Sequence, residues 1–270
     1  MNQGKRYRVN KQVLFKRAVW LAAILLSAIL LFSVYSLVRI LKGYRDGRQT
    51  YDTLSSAVVA TVSPAPSASA AAEETPAPES APISIDWETL KQTNADVVGW
   101  LYCEGTPINY PIVQTDDNEY YLTRGFDRKK NAGGALFLDC RNNINASDEN
   151  LIVYGHRMKD DSMLGTVPQY AEEDYLLLHP VMYLLTPERN YRVELFACRT
   201  VHSEEKYFET CFESKTAFQR YLNKAVEQSY WQPDATPGTD NPTLTLVTCS
   251  TYGNANNPRL LLHGVLVPIL

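Results

Sequence analysis

Apolar positions along the chain fall into three regimes. Residues 18–38, AVWLAAILLSAILLFSVYSLV, carry no charged side chain. A helix of that length rises about 1.5 Å per residue and reaches roughly 30 Å, the thickness of a bilayer's hydrocarbon core. Between residues 61 and 82 the apolar pattern disappears into TVSPAPSASAAAEETPAPESAP. Such a stretch buries too little to offset the entropy of ordering it. Beyond residue 84, short apolar or alternating runs recur at 97–103, 108–114, 135–139, 150–155, 181–186, 190–201, 243–249 and 259–269. Gly, Pro, Asn and Asp clusters separate them, the usual chemistry of turns. Short strands in that number with few helices predict a mainly β fold, a closed or nearly closed β-barrel. A short helix running to Thr93, capped by Ser84 or Asp86, precedes the first strand. A second helix is predicted over 214–231, where Phe218, Tyr221, Leu222 and Val226 recur at helical spacing with Lys and Gln between them. It is inserted ahead of the last two strands and covers part of the barrel.

Charge sharpens this division. Residues 1–17 hold six cationic side chains and no acid, whereas beyond residue 80 there are 16 Lys and Arg against 25 Asp and Glu. The expected organisation is a basic tail (1–17), a transmembrane signal anchor (18–38), a flexible Pro/Ala/Ser-rich linker (39–83) and a folded domain (84–270). A cleaved signal peptide is the alternative for the apolar segment. It calls for a core of roughly 7–15 residues and a small-x-small cleavage site, whereas this core is longer and VYSLVRILKGYR offers no such site. The cations before the span outnumber those just after it, so the positive-inside bias puts the N-terminus inside the cell and the domain outside. Positive residues beside an apolar segment, with no basic face on the body, argue against nucleic-acid binding. Five cysteines, Cys103, Cys140, Cys198, Cys211 and Cys249, leave an odd thiol in an exported domain. No spacing among them resembles a zinc set, and no metal or cofactor is expected.

Cys249 ends the alternating run TLTLVTC. Leu244, Leu246 and Thr248 share one face of that strand, and Thr245, Val247 and Cys249 share the other. Arg259 opens the next run, after the Gly/Asn/Pro-rich loop STYGNANNP. If the flanking strands pair antiparallel, thiol and guanidinium meet at one rim. Read singly, the thiol is a small hydrophobe and the arginine a partner in a rim ion pair. Together they can attack a carbonyl and stabilise the oxyanion that forms. A base is the third requirement. His156 follows an apolar strand in NLIVYGHRM and is the favoured choice; His202 also ends a strand, His179 precedes Pro180 in a loop, and His263 lies within a strand. A thiolate that attacks and an imidazole that moves protons form a recognised nucleophilic pair.

These residues carry a resemblance. TLVTC (245–249) resembles the T-L-x-T-C signature of the sortases, and Arg259 falls where that family places an arginine. VYGH (153–156) is similar to the segment bearing the family's histidine, and residues 97–142 resemble the opening of class B sortases, as does the inserted helix. The resemblance implies an eight-stranded sortase-type β-barrel with an N-terminal helix, preceded by a transmembrane helix. It implies a membrane-anchored cysteine transpeptidase on the surface of a Gram-positive cell. Such an enzyme cleaves a C-terminal sorting motif in a secreted protein, holds the acyl half as a thioester, and passes it to a cell-wall or pilin amine. Cys249 would be the nucleophile, His156 the general acid and base, and Arg259 the holder of the substrate carbonyl and oxyanion. Asn118, Leu122, Tyr154, Ser203, Phe208 and Thr248 would bind substrate. Ser250 stands where many class B members have an acid, and Ser203 where threonine is common, so the sorting motif itself stays open. Two other functions compete: a cysteine hydrolase using the same site, and an anchored adhesion or scaffold protein in which Cys249 is inert.

Overall fold

The computed structural model describes residues 11–62, 80–144, 148–202, 208–249 and 258–269. The chain divides into two units, residues 1–46 and 47–270. Helix α1 (Lys11–Val58) begins in the first and ends in the second. In the first unit its apolar side chains face outward all round, as at Trp20, Leu25 and Phe32. The helix is long and apolar enough to cross a membrane.

The second unit opens with the end of α1, then β1 (Val59–Thr61), which pairs antiparallel with β2 (Ile83–Ile85). Helix α2 (Trp87–Thr93) follows, its first turn closed by Asp86 Oδ1 accepting from Thr89 N–H at 3.0 Å. Then come β3 (Val97–Tyr102), β4 (Asn109–Val113), β5 (Leu136–Leu138) and β6 (Asn150–His156). Helix α3 (Glu173–Leu178) leads to β7 (Val181–Leu185) and β8 (Asn190–Val201). Helix α4 (Lys215–Glu227) precedes β9 (Thr243–Cys249) and β10 (Arg259–Ile269). Eight strands close into a barrel in the order β10-β8-β7-β3-β4-β5-β6-β9. The pairs β4–β5 and β6–β9 are parallel and the remaining pairs antiparallel.

The alternation in TLTLVTC does what the sequence expects of it. Leu244 and Leu246 are buried with Leu151, Val153, Leu262 and Leu266. Each fully buried leucine contributes about 1.5–3 kcal/mol relative to exposure. The opposite face, with Thr245 and Val247, is the one α4 covers: Tyr221 Oη lies 3.2 Å from Thr245 Oγ1. Helix α4 sits where the inserted helix was expected, ending at Glu227. Ser214 caps it by accepting from Ala217 N–H at 3.2 Å, and Phe218, Leu222, Ala225 and Val226 pack on Phe196 and Ala197 of β8.

The linker expected over 39–83 differs in its first half. Residues 39–58 continue α1, and 59–61 form β1. Tyr51 and Val58 are buried against the barrel, with Leu54 partly buried between them. That spacing, with no proline before residue 64, is an amphipathic helix face. The Pro/Ala/Ser-rich stretch lies mostly outside the described residues.

Candidate active site

Strands β6 and β9 run parallel with Asn150 opposite Thr243 and, at the far end, His156 opposite Cys249. Strand β10 runs antiparallel to β9, its last registered pair being Leu260 with Thr248. One residue further along each strand lie Arg259 and Cys249. Pairing and pleat therefore bring the three residues to one rim and one face, the face shared by Thr245 and His263 lower down. Ser203 and the loop at 250–257 lie outside the described residues, as does the Cys249 side chain. Arg259 is half-buried, opposite Val201 of β8.

His156 is held from one side. Its Nε2 lies 2.7 Å from the carbonyl oxygen of Leu122. A carbonyl can only accept, so Nε2 carries a proton. Leu122 belongs to a 3-10 turn, Tyr120–Leu122, and that turn is pinned. Asp117 Oδ1 accepts from the Glu119 and Tyr120 amides at 2.8 and 2.7 Å. Tyr121 Oη donates to Asp96 Oδ2 at 2.6 Å and accepts from Asn94 Nδ2 at 2.7 Å. Burial, with the Asp96 carboxylate, pushes the Tyr121 phenol up to about 12, so it stays a donor. Gly134 fills the space beneath the ring at φ +58°. A Cβ there would come within 2.5 Å of Tyr121 O, 3.0 Å of Leu122 O and 3.2 Å of His156 Cδ2. Only glycine fits.

The expected substrate-binding residues separate into two groups. Along the outer face of β6, Tyr154 stacks on Phe137 with ring centroids 5.2 Å apart and approaches Phe208 at 6.2 Å. Its hydroxyl donates to Asp139 Oδ2 at 2.9 Å. Asn118 Oδ1 accepts from the Cys140 amide at 2.8 Å, which ties it to the same wall. Leu122 lies beside His156, its carbonyl on Nε2, and these residues form the first group. Thr248 does not belong to it. It is fully buried, on the opposite face of β9 from Cys249, and its hydroxyl reaches the Leu260 carbonyl at 3.4 Å. It braces β9 against β10 instead of lining a groove.

Two features escaped the sequence reading. Asp139 has a buried carboxylate: burial pushes its pKa up, but hydrogen bonds from Arg141 and Tyr154 outweigh that and hold it below the usual range. The spacing D-C-R is too common to announce such a pair. Gly134 stands in the visible GG of NAGGALFLD, yet a glycine pair names no partner. Three of the other cysteines are held toward the thiol form: burial pushes Cys198 up to about 12 and also raises Cys103, while Cys211 is raised by burial and the nearby Asp148. All four described cysteines are free thiols.

A family model described as Sortase domain matches residues 101–267. Sortase B of Listeria monocytogenes is 37% identical over 178 residues, covering 66% of this chain and 72% of the relative. Sortase B of Staphylococcus aureus is 25% identical over 187 residues, covering 69% and 77%. Among solved structures, sortase B from Bacillus anthracis in complex with AAEK1 superposes with a TM-score of 0.70 at 30% identity, covering 84% of this chain and 99% of that one. The Staphylococcus aureus sortase B–substrate complex gives 0.64 at 26% identity, covering 67% and 84%. Sequence, barrel order and the length of the match agree, and the chain belongs to the sortase family as a class B member.

Proposed function

We propose that this transpeptidase works through Cys249, His156 and Arg259. The observation that carries the reading is the strand register: His156 opposite Cys249 on parallel strands, with Arg259 opening the antiparallel neighbour. The Cys249 sulfur gives its proton to His156 and attacks the scissile carbonyl carbon. The Arg259 guanidinium stabilises the oxyanion. As the C–N bond breaks, His156 returns the proton to the leaving amine, and a thioester remains on Cys249. An incoming amine then attacks the thioester carbonyl, its proton passes to His156, and the thiolate leaves as the new amide forms. Because Nε2 is engaged by the Leu122 carbonyl, Nδ1 is the nitrogen that exchanges protons. Asn118, Leu122, Tyr154, Ser203 and Phe208 would line the approach of a C-terminal sorting motif in a secreted protein. The acceptor is a cell-wall or pilin amine. Residues 18–38 anchor the chain with its N-terminus inside, so the barrel works outside the membrane.

Incubating the full chain in detergent with a sorting-motif peptide, with and without an excess amine, tests this. The expected product is the peptide–amine conjugate, absent in Cys249→Ala. Free acid alone under excess amine would make the chain a hydrolase. A Cys249→Ala strain that still attaches its client proteins to the wall would leave a scaffold role.

A further inference from the structure

Helix α1 does more than end at the barrel. Tyr51 is almost wholly buried, and its hydroxyl grips both ends of one loop. It donates to the Gly134 carbonyl at 2.7 Å and accepts from the Phe126 amide at 3.2 Å. Between those points the loop folds on itself: Asn131 N–H donates to Thr123 O at 2.9 Å, Gly133 N–H to Asn131 Oδ1 at 2.9 Å, and Gly134 N–H to Asn131 O at 3.2 Å. Gly47 of α1 rests on the same Asn131, where a Cβ would come within 2.9 Å of Oδ1. Gly134 in turn sits so close to the site that a Cβ on it would meet the His156 ring and the Tyr121 and Leu122 carbonyls. The next residue, Ala135, donates its N–H to Tyr121 O at 3.1 Å. A second route reaches the backbone. The Tyr51 ring stands edge-on to Tyr110 at 5.3 Å, Tyr110 Oη accepts from Met163 N–H at 3.1 Å, and Leu164 N–H donates to His156 O at 3.0 Å.

We infer that Tyr51 is a positioning residue for His156: it sets the height of Gly134, and Gly134 sets the Leu122 carbonyl that holds Nε2. The turn of α1 from Gly47 to Tyr51 therefore supports the catalytic machinery. This rests on the proposed role of His156. Loss of the hydroxyl frees the loop to shift by a fraction of an ångström, and a misplaced proton-transfer group costs an order of magnitude or more in rate. Ser55, one turn further along α1, makes a comparable contact elsewhere: its hydroxyl accepts from Asn109 Nδ2 at 2.8 Å, on β4. It serves as the comparator.

The test uses the full chain in detergent micelles, as Tyr51→Phe, Ser55→Ala and the unaltered protein. Tyr51→Phe lowers kcat about tenfold, with KM within about twofold, whereas Ser55→Ala keeps kcat within about twofold. In 15N spectra of histidine-labelled protein, His156 is the Nε2–H tautomer in the unaltered chain and a mixture in Tyr51→Phe. Unchanged kcat together with an unchanged His156 spectrum overturns the inference, and so does an equal loss in Ser55→Ala. The spectra need no substrate. If the unaltered chain transfers nothing, the transpeptidase assignment of this site fails, while the His156 tautomer still decides the role of Tyr51.

Discussion

Strands β6, β9 and β10 carry two polar clusters on one face, and each contains a histidine. At the rim stand His156, Cys249 and Arg259; lower down, on the same strands, stand Asn150, Thr245 and His263. The lower cluster is sealed. His263 is fully buried, its Nε2 accepting from Arg199 Nε at 3.3 Å and its Nδ1 lying 3.0 Å from Thr245 Oγ1. Thr245 Oγ1 donates to Asn150 Oδ1 at 2.8 Å, so Nδ1 is the nitrogen of His263 that carries the proton. Arg199 Nη1 donates to Gln228 Oε1 at 2.6 Å, at the end of α4. Burial, and then the Arg199 charge, hold the His263 pKa well below its usual value. His156 has the opposite tautomer and a half-buried ring that, among the described residues, is held through Nε2. The contrast teaches how one sheet face uses one residue type in two ways. An imidazole engaged at both nitrogens and covered by a helix is mortar; one engaged at a single nitrogen, at a rim, can trade protons.

The sharpest way to break the comparison is to exchange the consequences. Cys249→Ala is expected to remove transfer altogether, a loss of at least about a thousandfold. Arg259→Lys keeps the charge but loses the planar fork, and should lower kcat about a hundredfold. Both should leave the denaturation midpoint near that of the unaltered chain. His263→Ala should do the reverse. It leaves Thr245 and the buried Arg199 short of a partner, costing about 2–4 kcal/mol in denaturant unfolding. Transfer per folded molecule should stay near normal. A rim variant that unfolds the barrel, or a His263 variant that stays fully stable, would dissolve the distinction.

Much of this difference was legible in the sequence. The position of His156 at a strand end and of His263 within one separated the two histidines, and the alternation in TLTLVTC assigned Cys249 to the face of Thr245. What stayed hidden depended on contacts between distant segments. Nothing local marks Leu122 as the residue whose carbonyl holds His156, because any residue type offers that carbonyl. Thr248 sits beside Cys249 in sequence, yet the pleat turns it inward as the alternation predicts, and its expected substrate contact came from the family resemblance alone. The helix through Tyr51, Leu54 and Val58 was visible as a spacing. The Pro-rich residues after it drew the whole stretch into a linker.

Acid sharpens the comparison next. His263 is neutral in the folded state and protonates in the unfolded chain below about pH 6.5. Below that pH the unfolded chain binds the extra proton, so stability is full above it and falls as pH drops. The slope is about 1.4 kcal/mol per unit. Among the described residues, Arg199 and Tyr221 are the charged and titratable groups facing the ring, and burial raises the Tyr221 phenol away from this window. Asp139, held low by Arg141 and Tyr154, titrates only further down. Denaturant unfolding at pH 7 and pH 5.5 should show the loss in the unaltered chain, and His263→Gln should flatten it. An equal slope in both proteins would assign the acid sensitivity elsewhere.

The smallest effect asks whether the clusters are independent. Tyr221 of α4 approaches Thr245 Oγ1 at 3.2 Å, His263 Nδ1 at 3.5 Å and Asn150 Nδ2 at 3.3 Å. Tyr221→Phe keeps the ring that packs against Phe212 and Phe218 and removes only the hydroxyl. Thr245, His263 and Asn150 keep their bonds to one another, so the cost should be about 1 kcal/mol. Because β9 carries both Thr245 and Cys249, a network that propagated strain along the strand would also change kcat. The hydrogen bonds run across the strands rather than along them, and the rim histidine is held from the other side by the Leu122 carbonyl. Unfolding free energy should therefore drop while kcat, measured on the same preparation, stays within about twofold. A kcat loss larger than that would join the two clusters into one functional unit.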